Sequence, residues 1–108
     1  MHPNCKCGTP PFYYADFSTT EVGEDASGAE ISLETCKSCG QMWINYLIEE
    51  PHLSRSGRWW RVQVSPEQRH KISPARVKEF IEEQPWCFVG GSFFESTGKK
   101  VIAPIHVV

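Results

Sequence analysis

The stretch ETCKSCGQMW (residues 34–43) sets Cys36 and Cys39 two residues apart and follows them with Gly40. Its flanks decide how the thiols are presented. Before them, EISLETC (30–36) alternates Ile31, Leu33 and Thr35 against Glu30, Ser32 and Glu34, the period of a half-buried strand. After them, QMWINYLIEE (41–50) puts Met42, Ile44, Tyr46 and Ile48 on one side and Trp43, Asn45 and Leu47 on the other. That pattern reads as a strand covered on both faces, a short helix being the competing reading. A Cys-x-x-Cys turn between strands directs both sulfurs to one point. Glycine behind the second cysteine permits positive φ, so that backbone amides turn towards the sulfurs. Near the start, NCKCGTP (4–10) repeats the arrangement one residue shorter, with Cys5, Cys7 and Gly8.

Between the two pairs, FYYADF (12–17) is aromatic and strand-like, and STTEVGEDASGAE (18–30) is polar and acidic, as expected of a loop or long hairpin connection. A strand at 12–17 paired with one at 30–35 makes a hairpin whose open end gathers all four cysteines. Downstream, RWWRVQV (58–64) sets Trp60, Val62 and Val64 opposite Trp59, Arg61 and Gln63. Ser73 and Pro74 mark a helix start and Pro85 its end, with Val77, Phe80 and Ile81 at helical spacing, so a helix is predicted over 74–84. WCFVGGSFF (86–94) and KKVIAPIHVV (99–108) read as strands, with Thr97-Gly98 turning between them and Gly90-Gly91 as a bend or bulge.

Two thiol pairs suit Zn²⁺, which takes four tetrahedral ligands and favours thiolates in structural sites. The layout resembles a zinc ribbon, two cysteine knuckles supported by antiparallel strands. The resemblance covers roughly residues 1–48 and implies Cys5, Cys7, Cys36 and Cys39 as ligands of a structural Zn²⁺. It departs in the first knuckle, which is Cys-x-Cys where ribbons have Cys-x-x-Cys, and this leaves His2 as a substitute for Cys5. Ordinary reduced thiols are the plainer alternative. A redox pair is disfavoured, because redox Cys-x-x-Cys motifs sit between a strand and a helix start. Four protein thiolates leave no open position for substrate, so the implied role is structural.

At 108 residues, 40% of them hydrophobic, the chain is expected to be one globular domain, with the ribbon-like part at 1–48 and a sheet-plus-helix part at 49–108. Residues 1–54 carry two basic and eight acidic side chains, a net of −6, and residues 55–108 nine and five, a net of +4. The opening MHPNCKCG has no basic start leading into an apolar core, and no apolar run approaches the roughly 18 residues of a membrane span. A reducing cytoplasm is therefore the expected compartment, where disulfides are rare. Cys87, between Trp86 and Phe88, is expected to be a buried, inert thiol. The sequence has no serine-nucleophile elbow, no phosphate-cradling glycine loop and no His-Glu-x-x-His, so nothing in it supports catalysis.

SRSGRWWRVQVS (54–65) interleaves Arg55, Arg58 and Arg61 with Trp59 and Trp60. It reads as a core strand with an arginine stem packed beside a tryptophan, as a protein interface rich in Trp and Arg, or as a surface for single-stranded nucleic acid. Overall acidity disfavours the last. The run Glu21, Glu24, Asp25, Glu30 and Glu34 is a solvated loop or a phosphate mimic facing a basic partner. The expected architecture is α+β: a zinc-ribbon-like hairpin continuing into an antiparallel sheet, with one amphipathic helix packed on it. The metal is expected at the periphery, and the core from Trp60, Val62, Val77, Phe80, Ile81, Phe88 and Ile102. Three functions stand. The first is a small non-catalytic, zinc-stabilised protein-binding module, such as an immunity or inhibitor protein that occludes a toxin or enzyme. The second is a nucleic-acid-binding zinc ribbon using Arg55, Arg58, Trp59 and Arg61. The third is an enzyme of unrecognised type with structural zinc.

Overall fold

In the computed structural model, which describes residues 5–49 and 56–107, six strands form one antiparallel sheet in chain order. They are β1 (Phe17–Glu24), β2 (Glu30–Cys36), β3 (Met42–Ile48), β4 (Arg58–Val64), β5 (Trp86–Gly91) and β6 (Ser96–Ile102). One helix, α1 (Val77–Glu82), lies in the β4–β5 connection, and short 3₁₀ turns occupy parts of the other links. The architecture is compatible with α+β.

Side chains alternate across the sheet, so register assigns each residue to a face. Leu33 pairs with Ile44, Ile44 with Val62, Tyr46 with Trp60 and Trp60 with Val89, which builds one apolar face. Val77, Phe80 and Ile81 of α1 pack into that cluster, together with Ile105 and Val107 of the C-terminal segment. On the opposite face, Glu34 pairs with Trp43, Leu47 with Trp59 and Arg61 with Phe88. There the N-terminal segment lies over the sheet, with Phe12 against Trp43, Trp59 and Phe88. A second cluster of Cys7, Phe17, Cys36, Trp43 and Phe88 results. Strand β3 serves both layers, so its neighbours Trp43 and Ile44 are each 0% exposed.

The structure departs from the sequence expectations at the edges of the sheet. Residues 12–17 are not a strand: Tyr14–Asp16 form a 3₁₀ turn and only Phe17 enters β1. The strand that pairs with β2 is Phe17–Glu24, within the stretch expected as a loop. It is an edge strand whose side chains are mostly solvated, so no alternation marks it. A register shift between Glu21 and Gly23 bends it. The β1–β2 turn is tied by Asp25, whose carboxylate accepts N–H bonds from Ser27 at 2.9 Å and Ala29 at 3.0 Å and a bond from the Tyr46 hydroxyl. The helix is shorter than 74–84, because the Ser73 carbonyl first closes a turn by accepting the N–H groups of Arg76 and Val77. The β5–β6 reversal runs through Ser92–Phe94 and Glu95, leaving Thr97 and Gly98 inside β6. Six of the seven expected core residues are buried; Ile102, at the last rung of an edge strand, is 64% exposed.

Gly90 is where close approach demands glycine. A Cβ there would lie 2.3 Å from Cζ2 of Trp59. Gly90→Ala is expected to destabilise the fold by about 1–3 kcal/mol through overpacking. Gly8→Ala meets nothing within 4 Å and should be near neutral. Urea denaturation of both variants checks this pair.

Candidate metal centre

Each thiol pair is held by its own backbone turn. Cys5 precedes the 3₁₀ turn Lys6–Gly8, closed by Gly8 N–H to the Cys5 carbonyl at 3.2 Å and Thr9 N–H to that of Lys6 at 3.0 Å. Cys36 is the last residue of β2, and the next turn is closed by Gly40 N–H to its carbonyl at 2.9 Å. Gly40 has φ +80°, as its place in the knuckle requires; Gly8 does not have positive φ, contrary to the sequence expectation. The turns meet because Phe17 pairs with Cys36 and the Asp16 carbonyl accepts the Lys37 N–H at 3.0 Å.

The sulfurs of Cys5, Cys7, Cys36 and Cys39 all lie within 4.8 Å of one another. Cys5 Sγ is 3.7 Å from Cys36 Sγ, and Cys7 Sγ is 3.6 Å from Cys39 Sγ. A tetrahedron of sulfurs at about 2.3 Å from Zn²⁺ has edges of about 3.8 Å. The four thiols are thus positioned to bind a metal ion. The cluster is less peripheral than expected, since Cys7 and Cys36 are buried and form one end of the second apolar layer. His2 lies outside the described residues.

The surroundings act on the sulfurs in opposite directions, favouring the charged form at Cys36 and the neutral form at Cys7 and Cys39. Burial raises the Cys36 pKa, but the backbone N–H groups of Cys39 and Ser38 donate to its sulfur and bring it down to about 7. Burial pushes the Cys7 thiol up, as do its bonds to Cys39 and Cys5. Trp43 Nε1 is buried without a hydrogen-bond partner, yet lies close enough to Cys7 to favour that sulfur's charged form. A Cys7 thiolate bound to a metal would supply the acceptor this N–H lacks.

The arginine–tryptophan stretch does not form one exposed patch. Arg55 lies outside the described residues. Arg58 is half-buried, donating from Nη1 to the Ser56 carbonyl at 3.0 Å with its guanidinium 5.1 Å from the Phe93 ring. Trp59 is half-buried, 5.9 Å from Phe12. Arg61 turns inward and is 2% exposed, which removes it from the set of surface residues expected to touch a partner. Its Nη1 bonds Glu34 Oε1 at 2.6 Å, and its guanidinium lies 4.7, 4.5 and 5.4 Å from the rings of Phe12, Phe17 and Trp43. The Arg61–Glu34 contact joins residues on strands that are not neighbours, so no local spacing announces it.

Cys87 is 0% exposed on the face away from the centre, and burial pushes its thiol up to about 11. Cys87→Ser is expected to leave metal content unchanged and to cost about 1–3 kcal/mol for the buried hydroxyl. Metal analysis beside thermal unfolding checks both halves.

No helix among the described residues is long and apolar enough to cross a membrane. No family model, curated protein or solved structure matches the chain.

Proposed function

We propose that the chain is a non-catalytic protein-binding module whose N-terminal layer is organised by a structural Zn²⁺ on Cys5, Cys7, Cys36 and Cys39. The concrete form we favour is an immunity or inhibitor protein that occludes a toxin or enzyme partner in a reducing cytoplasm. The observation that carries it is the four-sulfur cluster: it would fill the coordination sphere and leave no position for substrate. The two cysteine turns beside the open end of the β1–β2 hairpin support reading this part as zinc-ribbon-like. The inward turn of Arg61 weakens the nucleic-acid alternative, since it leaves fewer cations to meet phosphates.

Co-purification of the tagged chain from its native host tests the proposal. The expected result is one stoichiometric protein partner, retained after nuclease treatment, with a buried interface of about 1,600 Å². Recovery of nucleic acid instead, with affinity that falls steeply as salt rises, would overturn it.

A further inference from the structure

The N-terminal segment covers only part of the second face. Beside it lie two adjacent hollows, together called the groove, with Asn45 and Leu47 lining both. One end, of about 420 Å³, is walled by Glu21, Glu24 and Glu30. The other, of about 480 Å³, is walled by Phe12, Tyr13, Tyr14 and Trp59 above the Arg61–Glu34 pair.

Two features of this groove point to the same occupant. Register sets Glu24 directly opposite Glu30, a like-charge pairing that opposes the ladder, and Glu21 lies nearby opposite Ser32. Those three exposed carboxylates have no ion pair among the described residues. At the aromatic end, Tyr13 and Tyr14 are 62% and 85% exposed, an apolar wall left open to solvent. Beneath them Arg61 is buried and its charge is balanced by Glu34, so the floor adds no net charge to the groove. Cationic side chains suit the first, and apolar or aliphatic groups the second. An extended peptide with alternating basic and apolar side chains supplies both. Anionic ligands meet the three carboxylates.

We propose that this groove receives a basic, extended peptide segment of a partner protein. The proposal rests on the protein-binding reading and gives it an address.

The test titrates the zinc-loaded chain with a labelled nonapeptide alternating lysine and phenylalanine, beside a control peptide with glutamate for lysine. The expected result is amide shifts at Ser32, Asn45, Leu47 and Trp59 with the lysine peptide and not with the glutamate peptide. The triple variant Glu21→Gln, Glu24→Gln, Glu30→Gln should keep its metal and thermal stability and bind the lysine peptide about tenfold or more weakly. Unchanged affinity in that variant, shifts centred elsewhere, or equal binding of the glutamate peptide would overturn the proposal. So would self-association that the triple variant abolishes, which would assign the groove to a second copy. Capture of the same host partner by wild type and triple variant alike would sink the groove while leaving the protein-binding reading intact. Absence of any host partner, with the lysine peptide still seated in the groove, would sink that reading and leave the groove standing.

Discussion

Serine at position 36 will leave the chain without bound zinc and its N-terminal layer open to protease. A serine hydroxyl stays protonated at neutral pH and is a poor zinc ligand, so the set falls from four thiolates to three. In zinc-finger peptides metal binding supplies about 10–16 kcal/mol of folding free energy. Whole domains are stable by only about 5–15 kcal/mol, so losing a ligand weighs heavily. Damage should concentrate where the metal acts as a fastener. The segment from Cys5 to Asp16 reaches the sheet through the cluster, the Lys37–Asp16 backbone bond and Phe12. The opposite layer, around Ile44, Trp60 and Ile81, has its own apolar contacts and should persist. Limited proteolysis read by mass spectrometry should show early cuts within 5–16, while circular dichroism keeps a strand signature. Cys39→Ser should behave alike and Cys87→Ser should not. Equimolar zinc retained in both knuckle variants would end the hypothesis.

Arg61→Ala should be strongly destabilising, costing about 3–5 kcal/mol in zinc-saturated buffer. The side chain is nearly fully buried, so its removal empties a space between Phe12, Phe17 and Trp43 and leaves Glu34 without its cation. Burial pulls the Arg61 pKa below the usual arginine value, with Glu34 acting in the opposite direction. The pair is therefore costly to break rather than a large net gain. Arg61→Met, which fills most of the volume without a charge, should recover part of the loss. Arg58→Ala, at a half-buried site, should cost under about 1 kcal/mol. Urea denaturation of the three variants measures this; an equal, small cost for Arg61→Ala and Arg58→Ala would contradict the interior role.

Legibility in the sequence followed burial. Strands β2, β3 and β4 sit inside the sheet, so their residues obey a period of two, and β3 was readable as covered on both faces from Met42, Ile44, Tyr46 and Ile48 on one side and Trp43 and Leu47 on the other. Strand β1 lies at the edge with most side chains in water, and its threonines and glutamates carry no pattern. The aromatics at 12–17 argued for a strand, yet Phe12 and Phe17 serve to cover the second face while Tyr13 and Tyr14 stay outside. The cysteine pairs were legible because a knuckle is a local object. The sites of Arg61 and Glu34 were not, because their contact depends on three strands assembling in order.

X-ray absorption at the zinc edge, on chain purified without chelator, tests the four-sulfur centre most directly. One zinc per chain with four sulfurs at about 2.3 Å is the predicted result. A chain free of stoichiometric zinc, or a first shell containing nitrogen or oxygen, would contradict it.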